Sequence, residues 1–192
     1  MEISKRIIPI GKTPSILLIN PKYGKNVGMV VRLASCYGVS QVWHTGNRLS
    51  YDLKGFYARK SKPNKHRLPR EERMKCYQDV QLINFDYPFE QFAKSVTPVA
   101  IEVRENAQML HEFEHPENPL YVFGPEDGSI DPVWLRHCHR FVVIPTRHCL
   151  NLATAVSTIL WDRQYKEYLN GRPVQLTPGE FERRGVHYDF TM

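Results

Sequence analysis

What the 192-residue sequence lacks narrows its function first. It has no apolar run near the ~18 residues that a membrane-spanning helix needs. Its first residues, MEISKRIIPIGK, have neither the apolar region nor the small-residue cleavage site of a secretory leader. The expectation is a soluble, cytoplasmic chain. The four cysteines, Cys36, Cys76, Cys138 and Cys149, form no CxxC pair, so they read as reduced thiols rather than a disulfide scaffold. No GxGxxG or GxxxxGK occurs. That removes the dinucleotide-binding loop and the P-loop, and with them methyl transfer of the ordinary Rossmann type.

A metal centre has only one literal candidate. His111–His115 reads HEFEH, and zinc would need the two histidines one helical turn apart. Pro116 follows at once and pushes the residue before it out of the helical region. No third ligand is evident, so the stretch reads as a polar helix end and no metal is expected. His137–His139, HCH, is spaced too closely for a usual site.

Charge is present and unevenly spread. The net charge is +6, yet residues 48–75 alone hold ten basic side chains against Asp52, Glu71 and Glu72. Such a concentration favours a polyanion, because each phosphate contact releases counterions. Tyr51, Phe56 and Tyr57 are interleaved and could stack on bases. Arg59, Lys60, Lys62, Lys65 and Arg67 are the candidate RNA contacts, with a solvated loop as the plainer alternative.

Apolar runs alternate with helical patterns, which predicts an α/β fold with a mainly parallel sheet flanked by helices. Strands are expected at 15–19, 41–43, 80–83, 98–103, 120–123 and 141–144. Helices are expected at 26–37, 88–94, 107–113, 132–137 and 150–169, the last stopped by Asn170–Gly171. Residues 45–78 read as a basic insertion and 172–192 as an irregular tail. With no repeat or linker, residues 1–192 are expected to form one domain.

Ligands of such sheets gather at the carboxyl ends of the strands, and three polar stretches fall there. In NVGMVVRLASCYG, Asn26 is placed to cap a helix. Arg32, six residues on, is read as pointing in a similar direction, toward an anion or a structural partner. In FGPEDGS, Glu126 and Asp127 sit in a turn built by Pro125 and Gly128. In IPTRHCLN, Cys149 and Asn151 stand at a helix start, where free backbone N–H groups suit a polar ligand or a cap.

Taken in order, N-x-G-x-x-x-R from Asn26 to Arg32, G-P-E-x-G from Gly124 to Gly128, and I-P-x…L-N-L-A from Ile144 to Ala153 resemble the SPOUT superfamily. The likeness is greatest to the SpoU/TrmH type of RNA 2′-O-ribose methyltransferase, over residues 14–168. The resemblance implies S-adenosyl-L-methionine as methyl donor, a C-terminal trefoil knot and a homodimer. It implies that Arg32, Asn26, Glu126 and Asn151 are catalytic. Glu102, Gly124, Pro125, Ile144, Cys149 and Leu150 would line the cofactor pocket. Two departures stand out: Cys149 occupies a place usually held by serine, and the loop that precedes it is short.

The implied substrate is structured RNA, transfer RNA foremost. Alternatives within the superfamily are ribosomal RNA as substrate or a base nitrogen as acceptor. A non-catalytic RNA-binding protein on the same scaffold is the rival from another class.

Overall fold

A computed structural model describes residues 14–49 and 80–172. Their strands are β1 (Ser15–Leu18), β2 (Gln41–His44), β3 (Gln81–Asn84), β4 (Thr97–Ile101), β5 (Gln108–Met109), β6 (Pro119–Phe123) and β7 (Arg140–Val143). They form one sheet in the order β3-β2-β1-β6-β4-β7-β5. Every pairing is parallel. The helices are α1 (Gly24–Cys36), α2 (Pro132–Leu135) and α3 (Leu152–Leu169). The expected α/β class and parallel sheet are what the structure shows.

Strand alternation explains the two layers. Successive side chains point to opposite faces, so Ile16 and Leu18 of β1 join Val27, Val30 and Val31 of α1 and Val156 and Ile159 of α3. Leu17 and Ile19 face the other way, with Trp43, Ala100, Val122, Ile130 and Cys138, under Trp134 and Leu135 of α2. Both faces are covered, as a parallel sheet requires.

Three expectations are corrected. The helix expected over 107–113 is instead strand β5 followed by a single 3-10 turn, Leu110–Glu112. Its Ala107, Leu110, Phe113 spacing is helical, but the chain is captured by the free edge of β7. The extra strand makes FGPEDGS the end of the sixth strand and IPTRHCLN the end of the seventh. The helix expected over 88–94 is only a 3-10 turn, Pro88–Gln91. Asn26 does not cap α1, whose cap is Tyr23 with no side-chain bond. The stop of α3 falls where expected, at Asn170 and a left-handed Gly171 with φ 73°.

HEFEH does not form one helical face either. His115 is sunk between β6 and α3, its side chain 5% exposed. Its Nε2 lies 2.8 Å from Asp162 Oδ2 and its Nδ1 2.6 Å from the Tyr121 hydroxyl. The carboxylate only accepts, so Nε2–H donates to it and Nδ1 accepts from Tyr121. Lys166 ties Asp162 to the carbonyl of Phe113 at the same place. His111, by contrast, is exposed.

Burial pushes the His115 ring down to about 4 despite the pull of Asp162. The folded state thus prefers neutral His115, while the unfolded chain takes up its proton from the ordinary value of 6.5 downward. This contribution to stability is complete above about pH 6.5 and is lost as pH falls toward 4. Urea unfolding should show roughly 2 kcal/mol less stability at pH 5 than at pH 7.5 from this group alone. The His115→Gln variant should lack that difference.

Candidate active site at the carboxyl ends of the strands

Three loops leave the same edge of the sheet near its middle. β1 pairs with β2 on one side and β6 on the other, so the chain diverges there, which is where open α/β sheets bind ligands. The loop after β1 runs into α1. The loop after β6 holds a turn closed by Gly128 N–H on the Pro125 carbonyl. The loop after β7 leads into α3, with the Thr146 hydroxyl donating to the His148 carbonyl at 2.8 Å.

One hydrogen-bonded chain joins all three. The Glu126 carboxylate accepts from the N–H groups of Lys22 at 2.8 Å and Tyr23 at 3.3 Å. It also accepts from Asn26 Nδ2 at 2.9 Å. The Asn26 carbonyl oxygen accepts from Asn151 Nδ2 at 3.0 Å. Asn151 Oδ1 accepts from Ala153 N–H at 3.0 Å and so caps α3. Because a carboxylate only accepts, the direction of every bond follows, and both amides have a single orientation. Residues 100 and 125 positions apart are thus locked together.

Glu126 does what Asn26 was expected to do. It supplies an anion at the amino end of α1, where free N–H groups and the helix dipole favour one. Partial burial works to raise its pKa, but the bonds from Asn26, Lys22 and Tyr23 outweigh it and hold the carboxyl below its usual range.

Arg32 is half-buried on α1 and has no hydrogen-bond or ion-pair partner among the described residues. It does not join the chain of Glu126, Asn26 and Asn151. Six residues turn a helix by about 600°, roughly 120° short of two turns, so Arg32 and Asn26 do not share a direction. This corrects the sequence expectation. What remains is a guanidinium beside an apolar helix face, its five donors meeting no acceptor among the described residues.

The expected cofactor residues are brought together only in part. Glu102, at the end of β4, accepts from Ile130 N–H at 2.9 Å and from its own neighbour Val103 at 3.2 Å. It lines a cleft of about 610 Å³ with Ile130, Leu135, Cys138 and Phe141. Gly124 reaches the same place through Ile130: a Cβ at Gly124 would lie 3.1 Å from Ile130 Cγ1. Pro125 follows it in the turn. Ile144 packs on the other face, against the core under α1 and α3. Cys149 is an exposed free thiol, and Leu150 is half-buried. Arg59, Lys60, Lys62, Lys65 and Arg67 lie outside the described residues. Arg48, the first of the ten basic residues, is described and is engaged with Asp127 and Asn20. Sequence reasoning assigned Arg48 only to the polyanion stretch, and Asp127 only to a turn.

The profile of the SpoU rRNA Methylase family matches residues 14–161. The chain belongs to that family. It is an α/β methylase of the SpoU/TrmH type, as its three motifs implied. Among solved structures, the A. aeolicus TrmH/SpoU tRNA modifying enzyme is similar with a TM-score of 0.65 at 16% identity, over 93% of this chain and 88% of that one. The SpoU methyltransferase AviRb from Streptomyces viridochromogenes, in complex with the cofactor AdoMet, has a TM-score of 0.65 at 18% identity, over 86% of this chain. This chain spans 62% of that protein, less than two thirds of it. A structure described by its insights into the 2-OH methylation of C/U34 on tRNA has a TM-score of 0.64 at 24% identity, over 84% of this chain and 100% of that one. At these identities the likeness is one of fold. No curated protein matches this chain in sequence.

Proposed function

We propose that this protein transfers a methyl group from S-adenosyl-L-methionine to a ribose 2′-hydroxyl of structured RNA, transfer RNA foremost. The observation that carries the reading is the hydrogen-bonded chain Glu126–Asn26–Asn151, which unites the three motif loops. Family membership supports methyl transfer to RNA. The similar structures described with AdoMet and with 2-OH methylation of tRNA support the donor and the acceptor.

The residues fit the donor. The cleft beside Glu102 has the size of small-molecule sites, about 300–1,000 Å³. Ile130, Leu135 and Phe141 offer it an apolar wall, and Glu102 puts a carboxylate at its rim that can accept from hydroxyls. Gly124 and Pro125 adjoin this cleft through Ile130, while Ile144, Cys149 and Leu150, which do not line it, are proposed to hold the donor from the loop after β7. When bound, the donor supplies a methyl group on a positively charged sulfur, which the 2′-oxygen displaces.

The chain's own residues orient the acceptor. Arg32 clamps a substrate phosphate through two parallel N–H donors. That phosphate takes the proton lost by the 2′-hydroxyl, because arginine stays charged and makes a poor base. Glu126, Asn26 and Asn151 fix the loops between which acceptor and donor meet, so that proximity lowers the barrier. The knot belongs to this reading, with α3 threaded through a loop behind the Ile144–Asn151 segment. So does a homodimer: Trp161, Tyr165, Tyr168 and Leu169 leave an apolar stripe exposed on α3.

Nucleoside mass spectrometry of transfer and ribosomal RNA, before and after incubation with the protein and methyl-labelled donor, tests the reading. A 2′-O-methylated nucleoside is expected. A methylated base would move the acceptor to a ring nitrogen. No product, together with no heat of donor binding, would leave an RNA-binding protein only.

Ionic strength tests the basic stretch. RNA affinity should fall steeply with salt. Replacing Lys60, Lys62, Lys65 and Arg67 by alanine should flatten the slope by roughly 0.7 to 0.9 for each phosphate no longer neutralised. An unaltered slope would remove those residues from the RNA interface.

A further inference from the structure

Beside the Glu126 chain lies a second cluster that the mechanism does not use. Arg48, in the loop after β2, spans two other loops. Its Nε and Nη2 donate to the Asn20 carbonyl at 3.2 and 2.7 Å. Its Nη1 donates to both Asp127 oxygens at 3.0 Å, and its Nη2 to Asp127 Oδ1 at 3.0 Å. Lys22 Nζ reaches Asp127 Oδ2 at 3.1 Å. Asn20 lies two residues beyond β1 and two before Lys22, and Asp127 follows Glu126 directly.

The loops are fitted to each other independently of this clamp. Asn20 N–H donates to Thr45 Oγ1 at 3.0 Å, and Thr45 N–H donates to the Leu18 carbonyl at 3.0 Å. Asn20 is held in the left-handed region at φ 45°, as is Gly46 at φ 73°. A Cβ at Gly46 would stand 2.3 Å from Asn20 Oδ1, so a side chain there would drive the loops apart. A non-glycine residue at positive φ is uncommon, and asparagine is among the few that tolerate it. Here Thr45, Gly46 and Arg48 surround it.

We propose that Arg48 is a positioning residue for methyl transfer, acting through Asp127 to hold Glu126 in register with Lys22, Tyr23 and Asn26. The proposal rests on the functional reading above. Glu126 must meet two backbone N–H groups and one amide at once, on a turn whose far end is tied by Ile130 N–H to Glu102. Arg48 fastens that turn to the strand end from which α1 departs. A planar fork of fixed geometry can span a carbonyl and a carboxylate together, whereas the point charge of lysine cannot.

The test compares Arg48→Ala, Arg48→Lys and Asp127→Asn with the unaltered protein. It measures kcat, KM for the donor, the unfolding midpoint and the titration of the Glu126 carboxyl by carbon NMR. In Arg48→Ala, kcat should fall on the order of ten- to a hundred-fold, as misplacement by about 1 Å does, with KM for the donor nearly unchanged. The Glu126 titration should move up toward the ordinary carboxylate range. Arg48→Lys should recover part of kcat. Asp127→Asn should reproduce the effects of Arg48→Ala, and it decides the matter if Arg48→Ala does not fold. Full kcat in Arg48→Ala, or in Asp127→Asn where that variant decides, overturns the proposal. So does an unmoved Glu126 titration. If the unaltered protein methylates no RNA, the functional reading fails, while the NMR titration still decides whether Arg48 positions Glu126.

Discussion

Replacing Arg32 by alanine is expected to abolish RNA methylation nearly completely while donor binding survives. Arg32 stands half-buried on α1 with no partner among the described residues. A guanidinium taken partly out of water with no counter-charge among the described residues is costly unless it is met by an anion, and the substrate phosphate supplies one. A bidentate bond to phosphate would do most for the barrier where charge develops at the oxygen. Removing one such donor group costs roughly 3–4 kcal/mol, or about 10²–10³ in rate. Single-turnover kinetics should show that loss in Arg32→Ala, and calorimetry should show the donor bound as before. Arg32→Lys keeps the charge but loses the fork, and should fall between. Unchanged single-turnover activity in Arg32→Ala would refute the assignment.

The second large effect is expected at Glu126. Glu126→Ala removes the acceptor of three donors at once, from Lys22, Tyr23 and Asn26. Water can replace it at the two N–H groups, so the loss of stability should be that of a helix cap, about 1 kcal/mol. Activity should suffer more. Asn26 loses the bond that orients its amide, Asn151 loses a fixed partner, and the loops after β6 and β7 lose their common anchor. Turnover should drop about a hundred-fold. Glu126→Gln should recover little, since an amide must aim one donor at another donor. The pH dependence has a definite sign. The Glu126 carboxyl is depressed in the folded state, so its contribution is complete above the usual carboxylate value and is lost as pH falls through its folded value. Unfolding midpoints of Glu126→Gln and the unaltered protein should therefore converge in acid. A constant difference between them down to the lowest pH would show that the carboxylate is not held as described.

The strands were legible because apolar runs between turn residues have few other fates in a chain of this composition. Six of them fall within two residues of their expected bounds. β5 was not legible, because two residues joined to a free sheet edge leave no period of their own. The motif residues were visible as ambiguous polar positions, and it was their order rather than any one of them that pointed to a family. Asn26 looked like a cap because asparagine caps helices. The true acceptor of the N–H groups was Glu126, a hundred positions later. Arg48 looked like one more charge in a basic run, because no local pattern marks a residue whose partners are Asn20 and Asp127. Contacts over such separations exist only once the sheet has brought β1, β2 and β6 side by side.

The central claim is that Glu126, Asn26, Asn151 and Arg32 serve methyl transfer to a ribose hydroxyl. It is tested most directly by alkaline hydrolysis of a treated RNA, read nucleotide by nucleotide. A methylated 2′-oxygen cannot attack its own phosphate, so one linkage should resist cleavage after treatment with the unaltered protein and be cut normally after treatment with Arg32→Ala. A complete ladder in the presence of incorporated label, or the same gap with both proteins, would contradict it.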